Sequence, residues 1–131
     1  GNMRGWEVFN DSKATNISAC LYALGQFDQS KPIYLLCGGV LKEPLSEEWV
    51  QALSQSHIHP IFYGQSAQHM QNRVRHAVVV SDFCQALRYA MHDGDHGVIL
   101  LSPACSSFDQ FDHYMHRGQV FDQEVKNVVF G

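Results

Sequence analysis

The chain has 131 residues, of which 45% are hydrophobic and 17% are charged, which indicates one folded domain over residues 1–131 and excludes a disordered chain. Its formal net charge is −4 and its nine Lys and Arg residues form no basic cluster, so nucleic acid is not expected as a partner. No apolar run approaches the roughly 18 residues of a membrane span and no secretory signal is recognisable, so we expect no membrane partner.

Short apolar runs alternate with amphipathic stretches along the chain, a pattern typical of an α/β fold. The first strand is predicted over residues 6–10, and the helix after it over 17–27, ending near Gly25. A second strand over 33–39 leads into a helix over 44–55, with a proline near its first turn and acidic residues early. The same reasoning predicts a strand over 58–64, a helix over 67–75, a short buried strand over 77–80, a helix from Ser81 as N-cap to Gly94, a buried strand over 98–102 and a helix over 119–130.

The turn after the first predicted strand, residues 10–16, reads NDSKATN. Asp11 favours a turn and Lys13 puts a cation at the start of the next helix. Thr15 or Asn16 would cap that helix, and its positive end would then favour an anion. The alternative interpretation is an ordinary capped turn with a solvated lysine.

Two later turns also follow predicted strands. In CGGVLK, residues 37–42, paired glycines would let the backbone approach a ligand closely and Lys42 would reach over it, although such a pair is also common in plain tight turns. In LLSPACSSFDQFDHYMHRG, residues 100–118, Pro103 ends a buried strand and a polar turn follows, for which an ordinary polar loop is the alternative. At the carboxyl end of a strand, hydroxyl and N–H groups can meet a small anion. The candidate hydroxyls are those of Ser102, Ser106 and Ser107.

The cysteines and histidines indicate neither a disulfide framework nor a metal site. The four cysteines lie far apart in apolar surroundings without a CxxC pair, which favours the reduced thiols of a cytosolic protein. The eight histidines show no recurring ligand spacing, and the pair His113 and His116 has no third ligand in view. The cysteines are Cys20, Cys37, Cys84 and Cys105.

Several well-known motifs are missing from the chain. It contains no GxxxxGK[ST] phosphate-binding loop, no GxGxxG dinucleotide fingerprint and no GxSxG nucleophile elbow. Two interpretations remain open beside a substrate-binding domain: a stand-alone α/β module that binds a small anion or regulates without catalysis, and a hydrolase that uses Cys105 with a histidine as base.

Three segments in order closely resemble the C-terminal domain of the Mur ligases that add D-glutamate. They are NDSKATN, the glycine pair followed by a lysine, and SPACSSFDQF with HRG beyond it. The resemblance covers nearly the whole chain, and its last segment is the most specific. The chain departs from the family at Val40 and Leu41, where an acidic residue is common, and at Tyr114, where many members have phenylalanine. The resemblance implies a three-layer, Rossmann-like domain with a mostly parallel sheet of about six strands and helices on both faces.

The resemblance also implies roles for single residues. Lys42 and Thr15 would hold the carboxylates of D-glutamate, and Ser107 would donate a hydrogen bond to its side-chain carboxylate. An aspartate and a lysine would face ATP, where they would bind ribose hydroxyls and neutralise phosphate charge. The substrate-binding residues would be Thr15, Lys42, Ser107, Phe108 and Tyr114, and the ATP-facing residues would be Asp11 and Lys13.

As the resemblance implies, the parent enzyme would be a cytoplasmic, bacterial and monomeric ligase of peptidoglycan biosynthesis. It would use ATP and Mg²⁺ to activate the carboxylate of UDP-N-acetylmuramoyl-L-alanine and would then join D-glutamate to it. A central domain would hold ATP and Mg²⁺, and an N-terminal domain would hold the uridine nucleotide. Neither domain lies in this chain, so we expect the chain alone to hold no cofactor and to be inactive.

Overall fold

In a computed structural model of the chain, the described residues are 2–3, 5–11, 15–27, 29–94, 96–102, 104, 119 and 123. Strands and helices alternate along them. The strands are β1 (Asn2–Met3), β2 (Trp6–Asn10), β3 (Ile33–Gly38), β4 (Ile58–Tyr63), β5 (Val78–Val79) and β6 (Gly97–Leu101). The helices are α1 (Ile17–Leu24), α2 (Glu47–Leu53), α3 (Ala67–Arg73) and α4 (Phe83–Asp93).

The six strands form one sheet in the order β1-β2-β6-β3-β4-β5. Neighbouring strands in the series β2, β6, β3, β4 and β5 are parallel, whereas β1 pairs antiparallel with β2. The predicted α/β fold is therefore confirmed, and each of the five parallel strands overlaps a predicted strand. The remaining strand, β1, has only two residues and is too short to produce a recognisable sequence pattern. Every residue of the central strands β3 and β6 is buried, which explains their continuous apolar sequence.

Side chains of β3 alternate between two cores, one on each face of the sheet. Ile33, Leu35 and Cys37 belong to the first core, and Tyr34 and Leu36 belong to the second. Helices α1, α2 and α3 pack on the first core, and α4 packs on the second. The three layers implied by the resemblance are therefore present. Each fully buried Leu or Ile side chain in the two cores stabilises the fold by about 1.5–3 kcal/mol.

Helix α2 begins three residues later than predicted. Ser46 is its N-cap, and the Ser46 Oγ accepts a hydrogen bond from the backbone N–H of Trp49 at 3.1 Å. Glu47 and Glu48 then form the acidic first turn. Because the cap satisfies a free amide and the acids face the positive end of the helix dipole, the helix begins here, and Pro44 lies outside it.

The ends of α4 and α1 also refine the predictions. Asp82, not Ser81, caps α4, and its carboxylate accepts from the backbone N–H of Gln85 at 2.9 Å. An aspartate in this place adds a charge that the helix dipole favours, whereas Ser81 Oγ donates to the Gln85 side chain instead. Helix α1 ends at Leu24, with Gly25 as C-cap at φ −67°, so the glycine is not needed for a left-handed conformation.

The predicted buried strand over 77–80 is wrong in extent and in burial. Strand β5 has two residues, pairs with β4 alone among the described strands, and leaves Val79 37% exposed. An apolar run of this length does not reveal whether both faces of a strand are covered. Of the predicted helix over 119–130, Gln119 and Gln123 are helical and exposed, and the other positions lie outside the described residues.

A cluster of aromatic and titratable side chains lies at the amino ends of β3 and β4. The Tyr34 ring stacks on the His59 imidazole with ring centroids 4.7 Å apart, and the Tyr34 hydroxyl donates to Asp93 Oδ2 at 2.8 Å. Burial lowers the pKa of His59, while the nearby Asp93 carboxylate acts in the opposite direction. The imidazole is therefore favoured in its neutral form in the folded protein.

The lowered pKa of His59 predicts a loss of stability in mild acid. The unfolded chain has the ordinary imidazole pKa of 6.5 and binds a proton more readily than the folded chain, so this contribution is present above pH 6.5 and is lost as the pH falls below it. We expect His59→Gln to reduce the difference between urea midpoints measured at pH 7.5 and pH 5. An unchanged difference would show that other groups set the pH dependence.

Candidate functional site

The carboxyl ends of β2, β6 and β3 lie side by side because these strands are parallel neighbours. Asp11 follows β2, Ser102 follows β6, and the turn of residues 39–46 follows β3. The backbone N–H of Asp11 donates to the carbonyl of Leu101 at 2.8 Å, and that of Ser102 donates to the carbonyl of Leu36 at 3.3 Å. The three turns chosen from the sequence thus begin at one edge of the sheet, where open α/β sheets bind ligands.

Ser102 is a polar residue with no exposed surface. Its Oγ donates to Asp11 Oδ2 at 3.5 Å, a long hydrogen bond, and its carbonyl accepts from the Cys37 thiol at 3.2 Å. Ser102 therefore supports the Asp11 carboxylate from within the protein and does not present its hydroxyl to a ligand. Of the three serine hydroxyls that the sequence offered for contact with a ligand, that of Ser102 is therefore excluded by its burial.

The turn after β3 carries Lys42, whose side chain is exposed. Gly39 adopts φ +123°, a conformation that side chains disfavour, so the turn needs glycine there. Gly38 serves another purpose: a Cβ on it would lie 2.4 Å from the carbonyl oxygen of Tyr63. Gly38 therefore lets strand β3 lie close to strand β4. This revises the expectation that Gly38 and Gly39 both make room for a ligand.

Ser66 contacts this turn from the start of α3, and the sequence did not indicate it. The backbone N–H of Ser66 donates to the carbonyl of Gly39 at 3.2 Å, and its Oγ accepts from the N–H of Leu41 at 2.9 Å. Twenty-five positions separate Ser66 from Leu41, so no local pattern could reveal the contact. Adjacent parallel strands bring the two turns together.

The first turn places Thr15 just before α1. The Oδ1 of Asn16 accepts from the N–H of Ala19 at 2.8 Å, so Asn16 is the N-cap and the prediction of a cap at this turn is confirmed. The half-buried Thr15 side chain lies outside the helix, next to the cap. Lys13 lies outside the described residues.

Most of the serine-rich turn also lies outside the described residues, including Ser107, Phe108 and Tyr114. Ala104 within it is described: it is buried and adopts φ +63°. A left-handed conformation costs a non-glycine residue roughly 1–2 kcal/mol. The surrounding structure therefore holds the backbone at this point in a strained turn, as is common where a loop presents functional groups.

Two buried thiols lie beneath the strand ends. Cys20 of α1 and Cys37 of β3 have no exposed surface. The neighbouring Cys37 side chain lowers the pKa of the Cys20 thiol most strongly, whereas burial raises it. Because solvent does not reach these thiols, they support the site structurally. Cys105, the proposed nucleophile of the hydrolase interpretation, lies outside the described residues.

A groove of about 770 Å³ is lined by residues of β2 and α1, with Asp11 and Leu100 also in its lining. Its lining includes the apolar side chains of Phe9, Tyr22, Phe27 and Leu100, and the rings of Phe9 and Phe27 meet edge to face at 4.8 Å. Its charged lining residues are Glu7 and Asp11, which would repel a dicarboxylate. Of these lining residues, Asp11 belongs to the strand ends described above.

Comparison with known proteins identifies relatives among D-glutamate ligases. The UDP-N-acetylmuramoylalanine–D-glutamate ligase of Francisella philomiragia is 36% identical over 131 residues, covering 97% of this chain and 32% of the relative. The ligases of the same name from Protochlamydia amoebophila and a Hydrogenobaculum strain are 33% and 34% identical over 93% and 96% of the chain. No protein-family model matches the chain.

The chain resembles a domain of the D-glutamate-adding Mur ligases. It spans about a third of the length of the curated relatives it matches. The family resemblance read from the sequence is thereby confirmed over nearly the whole chain.

The described residues hold no metal-binding group of three or more His, Cys, Asp or Glu side chains, and His113 and His116 are not among them. None of the helices in the described part of the chain has the length and apolar character needed to cross a membrane.

Proposed function

We propose that the chain is the C-terminal, amino-acid-binding domain of an ATP-dependent ligase that joins D-glutamate to UDP-N-acetylmuramoyl-L-alanine in the bacterial cytoplasm. The observation that carries the proposal is the meeting of Asp11, Ser102 and the Lys42 turn at one edge of the sheet. The similarity to D-glutamate ligases supports it: 93–97% of the chain aligns with about a third of the length of each relative.

In this function, the site binds a dicarboxylic amino acid. Lys42 and Thr15 hold its carboxylates, Ser107 donates to the side-chain carboxylate, and the rings of Phe108 and Tyr114 line the pocket. A charge-assisted hydrogen bond contributes about 1.5–3 kcal/mol, so one lysine and a few hydroxyl donors suffice to orient the substrate. The amine of D-glutamate is then directed at the activated carboxylate of the other substrate.

Asp11 and Lys13 face the nucleotide in this proposal. ATP, bound with Mg²⁺ by the rest of the enzyme, supplies the phosphoryl group that activates the carboxylate. The half-buried Asp11 carboxylate fits a ribose, since it accepts one hydrogen bond from Ser102 and has further lone pairs for sugar hydroxyls. Lys13 neutralises phosphate charge, and the domain closes over the nucleotide held by the central domain.

The test is to assay the complete ligase and the isolated chain side by side. We expect the complete enzyme to form product and release ADP with D-glutamate but not with L-glutamate, and Ser107→Ala to raise the KM for D-glutamate. The isolated chain should show no turnover and only weak binding of D-glutamate, because closure completes the pocket. Tight binding of a small anion by the isolated chain, without ligase activity in the complete protein, would favour the stand-alone module.

A further inference from the structure

The turn that carries Lys42 depends on groups outside itself for support. Residues 41–46 belong to no strand or helix, and Lys42 lies three residues after Gly39, whose φ of +123° turns the chain away from β3. Backbone N–H and C=O groups in such a turn need partners to hold one conformation. Two of these partners come from Ser66, which pairs with the carbonyl of Gly39 and the N–H of Leu41.

Ser66 occupies the N-cap position of α3 but does not cap it. Helices α1, α2 and α4 have side-chain caps, in which Asn16, Ser46 and Asp82 each accept from the backbone N–H three residues later. Ser66 makes no such bond, although serine is a preferred cap. Its Oγ instead accepts from Leu41 at 2.9 Å. The hydroxyl is thus used on the turn at the expense of its own helix.

The position of Ser66 follows from the order of the strands. Strand β4 lies beside β3, and Gly64, with φ +82°, turns the chain back at the end of β4. This turn sets Ser66 against the turn after β3. Leu41 immediately precedes Lys42 in sequence. The hydrogen bond from the Leu41 N–H to Ser66 therefore restrains the backbone from which the lysine side chain extends.

We propose that Ser66 is a positioning residue for Lys42 and thereby for the carboxylate that Lys42 binds, an inference that rests on the proposed function. The turn has Val40 and Leu41 before its lysine, and neither side chain is able to form an ion pair with it. The Ser66 hydroxyl holds the turn through the backbone instead. The backbone from which Lys42 extends is consequently held in one conformation by a residue of the neighbouring turn.

The first test measures the backbone of the chain itself. Ser66→Ala removes the acceptor for the Leu41 N–H, so we expect that amide to exchange its hydrogen about two- to tenfold faster by NMR. Ser66→Thr keeps the hydroxyl and should restore protection. Ser54→Ala is the matched control, because the Ser54 Oγ donates to the carbonyl of Val50 at 2.7 Å, at the far end of α2. Unchanged exchange at Leu41 in Ser66→Ala would overturn the proposal.

The second test measures the complete ligase. We expect Ser66→Ala to raise the KM for D-glutamate several-fold while the KM for ATP stays unchanged, and to add little in a Lys42→Ala background. Additive effects of the two substitutions would reject Ser66 as acting through Lys42. If Lys42→Ala itself left the KM for D-glutamate unchanged, the assigned substrate site would fail, while the exchange result would still report on the turn.

Discussion

Replacing Lys42 with alanine in the complete ligase is expected to raise the KM for D-glutamate about 10- to 150-fold. This range corresponds to the loss of one charge-assisted hydrogen bond of about 1.5–3 kcal/mol, at a factor of ten for each 1.4 kcal/mol. Lys42 lies in the turn after β3 at the carboxyl edge of the sheet, and its side chain is exposed to an incoming substrate. Steady-state kinetics with D-glutamate varied at saturating ATP would measure the change.

Lys31 provides a matched control for this substitution. It precedes β3 at the opposite edge of the sheet and forms a surface ion pair with Glu7. Surface ion pairs contribute about 0–1 kcal/mol, so Lys31→Ala should change neither the KM nor the stability appreciably. Lys42→Arg tests the geometry, because it keeps the charge but replaces a compact ammonium with a planar group. Equal effects of Lys31→Ala and Lys42→Ala would contradict the assigned role.

The Gly38→Ala substitution is expected to lower the free energy of unfolding by about 3 kcal/mol, the upper part of the range for overpacked cores. A Cβ at this position would lie 2.4 Å from the carbonyl oxygen of Tyr63 and 2.5 Å from its ring. The carbonyl belongs to the backbone of β4, so relief requires β3 and β4 to separate at the end that leads into the Lys42 turn. Thermal unfolding of the chain should show a decrease in Tm of about 10 °C.

Gly25 is the control for the effect of glycine replacement itself. Its φ is −67°, and the nearest atom to an added Cβ is the carbonyl oxygen of Tyr22 at 3.5 Å, an ordinary contact. Gly25→Ala should leave stability unchanged or raise it by up to about 1 kcal/mol, because alanine restricts the unfolded chain. A Gly38→Ala variant as stable as Gly25→Ala would show that the two strands adjust to the methyl group without cost.

Elements whose signal is local were predictable from the sequence. The continuous apolar run of β6 indicated a buried strand, and β6 is buried along its whole length. A cap at Thr15 or Asn16 and the end of α4 at Gly94 were also predictable, because capping depends on residues within one helical turn. Strand β1 was not predictable, because two residues carry no periodicity.

The burial of single side chains and the contacts between residues far apart in the chain could not be predicted from the sequence. Ser102 stood at the end of an apolar run beside other serines, and only the structure distinguishes its buried hydroxyl from one that meets a ligand. Ser66 was not indicated by the sequence, because its hydroxyl is bonded to Leu41, 25 positions away. Val79 appeared to belong to a buried strand, yet it lies at an edge. Each of these outcomes depends on which elements become neighbours.

By itself, the sequence determined the alternation of strands and helices, the turns after the strands and the family resemblance, since all of these are written in contiguous residues. The tertiary structure decided that β6, the last strand among the described residues, lies between β2 and β3. This order follows from pairing between strands far apart in sequence, whose free energy comes from long-range hydrogen bonds and burial of both faces. It brings Asp11, Ser102 and the turn of Lys42 to one edge, where separate residues become a single candidate site.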